Sequence, residues 1–257
     1  MSVIKYSIIV ILAVIVIILS IILIWYIFSN KNEKFRSIEN EYLKNIKIYV
    51  INMENRPDRK EHTKTLLDKL GFTNYQFIVP MSKDEVLLDP MITGSTLNHS
   101  VLSLASTVLN IFRETQEEEF VIMEDDLIFN ENGKCSFEDI YNSAKDVEWD
   151  LLYYEFCYEE CQYSEKISPY LFKLYEPQCT AFIIFKKSGA IKILNNFDKN
   201  KFIDYNYKNL TKTGILKSYG YPLFIQNPEF GSSIVSSGKF TENPTHDPIC
   251  RSHNLNI

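Results

Sequence analysis

The chain has 257 residues, of which 46% are hydrophobic and 14% aromatic, and its formal net charge at pH 7 is −6. This length and aromatic content predict a packed globule of one sizeable domain or two small ones, and exclude a disordered chain. The negative charge, without a Lys/Arg cluster interleaved with aromatics, argues against broad nucleic-acid binding, because such binding depends on neutralising phosphates.

An apolar run opens the chain. Residues Ser7 to Phe28 carry no charge and are dominated by Ile, Val and Leu. As a helix of roughly 22 residues this run would extend over about 33 Å, enough to cross a bilayer. Trp25 and Tyr26 fit an aromatic belt at the membrane interface, whereas a secretory signal would have a shorter apolar core and a cleavage site of small residues. The run therefore predicts a transmembrane anchor.

The resulting organisation is an anchor over residues 1–30, a polar stem over 31–45 and a globular domain over 46–257. The protein is thus expected at a membrane, held by a single N-terminal helix. Basic residues after the helix favour a cytosolic domain by the positive-inside rule, whereas glycosylation sequons at Asn98 and Asn209 would suit a lumenal one. The sequence leaves the side of the membrane open.

The domain begins with a β-α-β pattern. Ile46 to Ile51 form a predicted strand, Asn52 to Pro57 a turn into a helix, and Tyr75 to Val79 the next strand. Gly71 lies where a C-terminal helix cap belongs. A second helix is predicted from Leu97 to Thr115, with apolar residues on more than one face, as expected for a buried helix.

Helices and strands continue to alternate in the rest of the chain. The predicted elements are a helix near Phe137 to Ala144, strands at Asp150 to Tyr154, Leu171 to Tyr175 and Thr180 to Phe185, a helix started by Ser188, and a strand at Tyr221 to Gln226. This alternation predicts an α/β fold.

An acidic triplet interrupts the apolar run Phe120 to Phe129. Glu124, Asp125 and Asp126 stand where a buried strand should carry no charge, and buried carboxylates cost several kcal/mol unless they are partnered. A divalent metal would satisfy them, and Mg²⁺ or Mn²⁺ usually binds through one or two carboxylates plus substrate phosphates. The triplet therefore indicates a phosphate-bearing substrate. The alternative is a strand that ends at Met123 and runs into a solvated acidic turn.

Two arginines lie in the turn after the first strand, where ligands usually bind in open α/β sheets. Arg56 and Arg59 oppose the dipole of the following helix, so a negative group should compensate them. A diphosphate is one candidate, since the guanidinium fork matches its oxygens. Local pairing with Glu54, Asp58 or Glu61 is the alternative.

Two further positions are candidates for chemistry. His99 falls near the start of the buried helix, a position that favours the neutral imidazole. Asp204, followed by Tyr205 and Tyr207, has the surroundings of a general base in a cleft able to stack a sugar, although a helix-capping role explains it equally well.

The five cysteines form an odd, unpatterned set. This predicts mostly reduced, structural thiols, with Cys157 and Cys161 close enough in sequence to be bridged or metal-bound.

Taken in order, these motifs resemble glycosyltransferase family 25, the group that includes bacterial lipooligosaccharide galactosyltransferases and collagen hydroxylysine galactosyltransferases. The similarity spans nearly everything after the anchor. The matching positions are Ile48 to Asn52 with Arg56, Asp58 and Arg59; Gly94 and His99; Glu124, Asp125 and Asp126; Trp149 to Leu152; Thr180 to Phe182 with Gly189 and Ala190; Asp204; and Gln226 to Pro228 running to Ser232, Ser233 and Ile234.

The resemblance implies a type-A glycosyltransferase fold, a Rossmann-like nucleotide-binding α/β sandwich. It implies transfer of galactose, or of glucose, from a UDP-sugar to a hydroxyl of a glycan or protein acceptor, usually with inversion, and with Mn²⁺ or Mg²⁺ as cofactor. On this basis Asp126 is the expected direct metal ligand, assisted by Glu124, and Asp204 or Asp150 is the expected base. The residues expected at the nucleotide are Asn52, Arg56, Arg59, His99, Glu124 and Asp125.

The chain departs from the family pattern at two positions. Asn98 replaces a serine, and Ser233 stands where members often have an acidic residue. These departures bear on acceptor choice and on activity itself. A catalytically degenerate, membrane-tethered member that serves as a binding or adhesion module is therefore the alternative hypothesis. A phosphodiesterase or nuclease is a third, less favoured because two-metal sites need more acidic ligands than one triplet supplies.

Overall fold

The computed structural model describes residues 15–21, 37–130, 135–156 and 158–230. The chain divides into two compact units, residues 1–36 and 37–257. In the first unit, residues 15–21 are helical and exposed. Across the described residues, no helix combines the length and the hydropathy that a membrane span requires. Most of the predicted anchor lies outside the described residues.

The second unit is an α/β domain. Its strands are β1 (Lys47–Ile51), β2 (Tyr75–Ile78), β3 (Glu119–Glu124), β4 (Leu127–Phe129), β5 (Leu151–Glu155), β6 (Glu165–Ser168), β7 (Leu171–Lys173), β8 (Phe182–Lys186), β9 (Ser218–Gly220) and β10 (Phe224–Gln226). Its α-helices are α1 (Glu41–Lys44), α2 (Pro57–Leu70), α3 (Lys83–Leu88), α4 (His99–Glu114), α5 (Phe137–Ser143), α6 (Lys187–Asn196) and α7 (Ile203–Lys212), with short 3-10 helices at Cys161–Tyr163 and Pro228–Phe230.

The strands form a mixed sheet of eight in the order β2-β1-β3-β8-β5-β9-β7-β6, and β4 pairs with β10 in a separate ribbon. Strands β2, β1 and β3 run parallel, and β8 runs antiparallel to both β3 and β5. Strand β5 therefore points the same way as β3. Their carboxyl ends lie at one edge of the sheet, which we call the acidic edge.

The register sets the level of the residues at this edge. Ile51 at the end of β1 is opposite Glu124 at the end of β3. Phe182 of β8 is opposite Met123 on one side and Glu155 on the other. Glu155 consequently lies level with Met123, one residue before Glu124, and the start of β8 lies between the two strands.

Local chemistry explains the elements that carry this edge. Helix α2 starts at Pro57, whose missing N–H costs nothing in the first helical turn. It ends at Gly71, which has the left-handed φ of 88° that favours glycine, and its N–H reaches the carbonyls of Leu67 and Asp68. Helix α4 begins where the Asn98 side chain accepts a hydrogen bond from the Val101 N–H.

Aromatic side chains fill the core on both faces of the sheet. Phe120 stacks on Phe185 with ring centroids 5.7 Å apart, and Phe137 stacks on Tyr154 at 3.9 Å. All four are buried. Each such burial contributes about 1.5–3 kcal/mol, so this packing holds the strand ends in place.

The predicted stem extends too far along the chain. The Ile38 N–H donates to the Leu70 carbonyl at 2.9 Å, and both Ile38 and Leu43 are buried in the core. Residues 38–45 therefore belong to the domain, because their apolar side chains cover the end of α2.

Candidate functional site

The acidic triplet is part of the folded edge of the sheet. Strand β3 ends at Glu124, the chain turns through Asp125 and Asp126, and β4 starts at Leu127. Asp125 is 5% exposed and Asp126 is 8% exposed. A solvated acidic turn after Met123 is therefore excluded, and the buried carboxylates need partners.

Asp125 has a complete set of partners. Arg59 Nη1 lies 2.9 Å from Asp125 Oδ1, and the Asn52 amide donates to Oδ2 at 2.6 Å. The Thr63 hydroxyl donates to the Asp125 carbonyl at 2.9 Å. Arg59 itself is buried. The cation and the strong donor that burial requires are thus supplied by the chain, from the turn after β1 and from α2.

Asp126 is only half satisfied. Its Oδ2 lies 3.3 Å from Arg59 Nη1, and its carbonyl accepts from the Asn227 N–H at 2.6 Å. Its Oδ1 is buried and has no hydrogen-bond partner within the described part of the chain. Burial raises the pKa of Asp126 to about 6, and the nearby Arg59 opposes this rise.

Two glutamates extend the acidic edge. Glu124 is partly exposed, and its pKa is raised to about 8 by desolvation and then by the charges of Asp126 and Asp204. Glu155 is 1% exposed, and its Oε2 finds no hydrogen-bond partner among the residues that the structure describes. Burial, with Glu124 and Asp126, raises the pKa of Glu155 well above its ordinary value.

Sequence reasoning missed Glu155. The available signal was the same one that marked the triplet, since Glu155 ends the buried strand Leu151–Glu155 as Glu124 ends β3. Its nearness to the triplet could not be read from the sequence, because it depends on β8 inserting between β3 and β5.

Asp204 reaches the acidic edge from α7. It lies in the first helical turn, where it accepts the Tyr205 N–H at 2.9 Å and the Cys179 N–H at 3.4 Å. Burial raises the pKa of Asp204, and its charge in turn raises the pKa of Glu124. Asp204 is thus near enough to act electrostatically on Glu124, and its role as a candidate base stays a prediction.

The two arginines of the turn have different partners. Arg56 pairs locally with Asp58 through Nε at 3.0 Å and Nη2 at 2.8 Å, which is the local alternative considered from the sequence. Arg59 instead pairs with the triplet. The Phe230 ring packs against both guanidinium groups, with its centroid 5.8 Å from Arg56 Cζ and 5.5 Å from Arg59 Cζ.

Asp150 lies away from the triplet. His99 makes no contact with the triplet that the structure describes. Asp150 precedes β5, about 16 Å from the other end of that strand. Its carboxylate accepts from Lys192 Nζ at 2.7 and 2.8 Å and from the Lys217 N–H at 2.9 Å. It is a structural ion pair at the opposite edge, so its predicted role as base is not retained. His99 is exposed at the first position of α4.

The donor set fits a metal ion only in part. Over the described residues, no group of three or more His, Cys, Asp or Glu side chains is arranged to hold an ion. The unpartnered oxygens, Asp126 Oδ1 and Glu155 Oε2, are nevertheless hard donors of the kind that Mg²⁺ and Mn²⁺ prefer. The edge therefore suits an ion whose remaining ligands are phosphate oxygens and water, and does not form a closed protein cage.

The structure describes two of the cysteine side chains, one in a disulfide and one free, so the prediction of mostly reduced thiols stays a prediction. Cys179 is disulfide-bonded, and its φ of 75° is in the left-handed region. Cys135 is free, and burial raises its pKa to about 12. Cys157 lies outside the described residues, and the side chain of Cys161 is not described, so the alternative of a link between them is not tested.

No protein-family model matches the chain, and no curated protein matches it. Among solved structures, HddC from Yersinia pseudotuberculosis aligns over 74% of this chain and 78% of that one, with 13% identity and a TM-score of 0.38. The inositol-1-phosphate CTP transferase from T. maritima aligns over 73% and 92%, with 12% identity and a TM-score of 0.40. A UDP-glucose pyrophosphorylase complexed with UDP-glucose aligns over 68% and 72%, with 8% identity and a TM-score of 0.38. Likenesses of this size identify neither the family nor the activity of this chain.

Proposed function

We propose that the protein is a metal-dependent glycosyltransferase that moves a hexose, galactose or glucose, from a UDP-sugar to a hydroxyl of a glycan or protein acceptor. The observation that carries the proposal is the buried Oδ1 of Asp126 at the acidic edge, which has no partner among the residues that the structure describes. Leaving such an atom unsatisfied costs about 1–3 kcal/mol, so a bound group should complete it. The resemblance to glycosyltransferase family 25 supplies the finer assignment.

In this proposal Asp126 and Glu124 hold Mn²⁺ or Mg²⁺. When bound, the ion supplies Lewis-acid stabilisation of the departing diphosphate. Asn52 and Arg59 fix the Asp125 carboxylate and with it the turn that carries Asp126. Arg56, which is partly exposed, is the guanidinium available to the nucleotide, provided that it leaves Asp58.

Asp204 is the proposed base for the acceptor hydroxyl. Its two backbone N–H donors fix the carboxylate, while burial raises its pKa towards neutrality and so strengthens it as a proton acceptor. Transfer of the acceptor proton to Asp204 accompanies attack of the acceptor oxygen on the anomeric carbon. A direct attack of this kind inverts that carbon.

One observation favours the degenerate binding module instead. Arg59 already contacts carboxylate oxygens of both Asp125 and Asp126, so the chain itself supplies much of the positive charge that a metal would bring. In that alternative the triplet is a structural network, and neither nucleotide nor metal is needed.

Calorimetric titration of UDP with and without Mn²⁺ separates the two, followed by UDP release from UDP-galactose and UDP-glucose. The transferase proposal expects manganese-dependent UDP binding at micromolar levels and metal-dependent UDP release. Asp126→Ala should lower the release by more than about 100-fold. Asp146→Ala is the matched control, because it removes an exposed carboxylate that is not part of the acidic edge. This variant should behave like the parent protein.

Absence of manganese-dependent UDP binding in the parent protein would favour the module. Pyrophosphate release from a nucleoside triphosphate and a sugar phosphate, without UDP release, would replace the transferase by a nucleotidyltransferase. The membrane anchor over residues 1–30 remains part of the proposal and is tested by fractionation of the full chain with membranes.

A further inference from the structure

One face of the domain collects exposed aromatic side chains. We call it the aromatic patch, and its members are the exposed Tyr158, Tyr163, Phe202 and Tyr205 together with the half-buried Tyr175. Of the five aromatic side chains that are exposed within the described residues, four belong to this patch, and the fifth is Tyr42 in α1. Exposed apolar groups that cluster in this way mark interaction sites more often than scattered ones do.

The patch is continuous. Phe202 meets Tyr205 edge to face with ring centroids 5.7 Å apart, on the first turn of α7. Lys208 Nζ lies 5.4 Å from the centroid of the Tyr205 ring and 5.5 Å from that of Tyr158, so it joins the helix to the segment between β5 and β8. The rings of Tyr163 and Tyr175 have centroids 4.9 Å apart. They continue the surface through Lys212, whose Nζ lies 5.6 Å from the Tyr175 centroid and which shares Glu176 with Lys208.

Charges inside the patch are balanced. Lys208 pairs with Glu176 at 2.9 Å, and Lys212 pairs with the other oxygen of Glu176. The Tyr158 hydroxyl donates to Glu160. Two cations therefore face two carboxylates, and with the adjoining Asp204 no excess positive charge remains among these residues to attract a phosphate, an anionic glycan or nucleic acid.

The patch adjoins the candidate base. Asp204 lies between Phe202 and Tyr205 in the chain, and its Oδ1 accepts the Tyr205 N–H. A ligand resting on the two rings would therefore lie next to the helical turn that carries this carboxylate.

We propose that the aromatic patch binds the acceptor, and that the acceptor is a neutral glycan. A pyranose ring has an apolar face of C–H groups bordered by hydroxyls. Tyrosine matches both features, because its ring packs on the apolar face while its hydroxyl exchanges hydrogen bonds. The inference rests on the proposed transferase function for the role of acceptor, but glycan binding itself needs neither nucleotide nor metal.

The test is binding of defined neutral saccharides to the full-length protein, without nucleotide or metal, by saturation-transfer NMR and calorimetry. The probes are lactose, N-acetyllactosamine and maltotriose, with a sulfated chondroitin disaccharide as the charged comparison. At least one neutral probe should bind, and the charged probe should bind more weakly. Phe202→Ala and Tyr205→Ala should each weaken binding about 3- to 10-fold, the loss expected for one ring contact.

Two matched variants control for folding and for ring chemistry. Tyr42→Ala removes an exposed tyrosine outside the patch and should leave saccharide binding unchanged. Tyr205→Phe keeps the ring and should retain most of the affinity. Circular dichroism should be the same for all variants, because Phe202 and Tyr205 are both exposed.

Each outcome decides the matter. Failure of every neutral probe to bind, stronger binding of the charged probe, or equal affinities of the parent, Phe202→Ala and Tyr205→Ala would overturn the proposal. If the protein binds a saccharide but shows no manganese-dependent UDP binding, the transferase proposal is contradicted and the patch is supported as a glycan-binding surface. Manganese-dependent UDP binding without saccharide binding would support the transferase proposal and contradict the aromatic patch as an acceptor site.

Discussion

The domain buries carboxylates at both edges of its sheet, and the two edges treat them differently. At one edge Lys192 and the Lys217 N–H donate to the Asp150 carboxylate, so both of its oxygens have donors. At the acidic edge Arg59 and Asn52 satisfy Asp125, but one oxygen of Asp126 and one of Glu155 stay unpartnered among the described residues. A buried carboxylate therefore indicates a functional site only when its hydrogen-bond partners are incomplete. Burial alone does not indicate such a site.

The largest effect is expected for Asp204→Asn, which tests whether the acidic edge is a reaction site. If the acidic edge is a reaction site with Asp204 as base, kcat for UDP release should fall by about 10²- to 10⁴-fold, while manganese-dependent UDP binding stays within twofold of the parent. Asp198→Asn alters a partly exposed aspartate paired with Lys201 and serves as the control. An unchanged kcat would remove Asp204 from the mechanism.

The opposite edge predicts a loss of stability without a loss of binding. Asp150→Ala leaves the Lys217 N–H without its acceptor and Lys192 without its counter-ion, which should lower the free energy of unfolding by about 2–3 kcal/mol. The loss is limited because Lys192 is about one-third exposed. Urea unfolding measures it, with Asp146→Ala as an exposed control. Loss of UDP binding in a folded Asp150→Ala protein would show that the two edges are not separate.

The smallest effect expected, per pH unit, is a pH dependence of stability. Because the folded state raises the pKa of Glu124 from 4.5 to about 8, it holds this proton more tightly than the unfolded chain does. The contribution of Glu124 to the free energy of unfolding should therefore be complete below about pH 4.5 and be lost as the pH rises to 8, on the order of 1 kcal/mol per pH unit. Urea unfolding at several pH values, in the presence of a chelator, measures this slope.

Glu124→Gln should reduce that slope, because the amide does not titrate, while Asp126, Glu155 and Asp204 continue to contribute through their own raised pKa values. Glu118→Gln, at an exposed position just before β3, should keep it. Equal slopes in the two variants would assign the pH dependence to other groups and weaken the contrast between the edges.

Much of the fold could be predicted because local pattern and local structure agree. The strand predicted at Ile46 to Ile51 is Lys47–Ile51, and the helix predicted from Leu97 to Thr115 is His99–Glu114. Gly71 caps α2 as expected. Strands β6 and β9 were missed, since each is short and lacks a strong alternation of apolar and polar residues.

The site was less predictable than the fold. The triplet was visible because three acids interrupt an apolar run, and its burial follows from the strand that carries it. The pairing of Arg59 with Asp125 was not foreseen, since it joins α2 to the end of β3 across 66 residues of sequence. Asp150 is an acidic residue in a matching motif, but it precedes its strand. The amino end of a strand parallel to β3 lies at the edge opposite the triplet.

Cys179 carries a practical consequence for anyone who prepares the protein. Its backbone amide contacts Asp204, and its side chain is tied covalently by a disulfide. Thiol reductants such as dithiothreitol, or expression in a reducing cytosol, would cut that tie. A preparation made under oxidising conditions and one made under reducing conditions are therefore different starting materials, and activity measured on either should be accompanied by a count of free thiols.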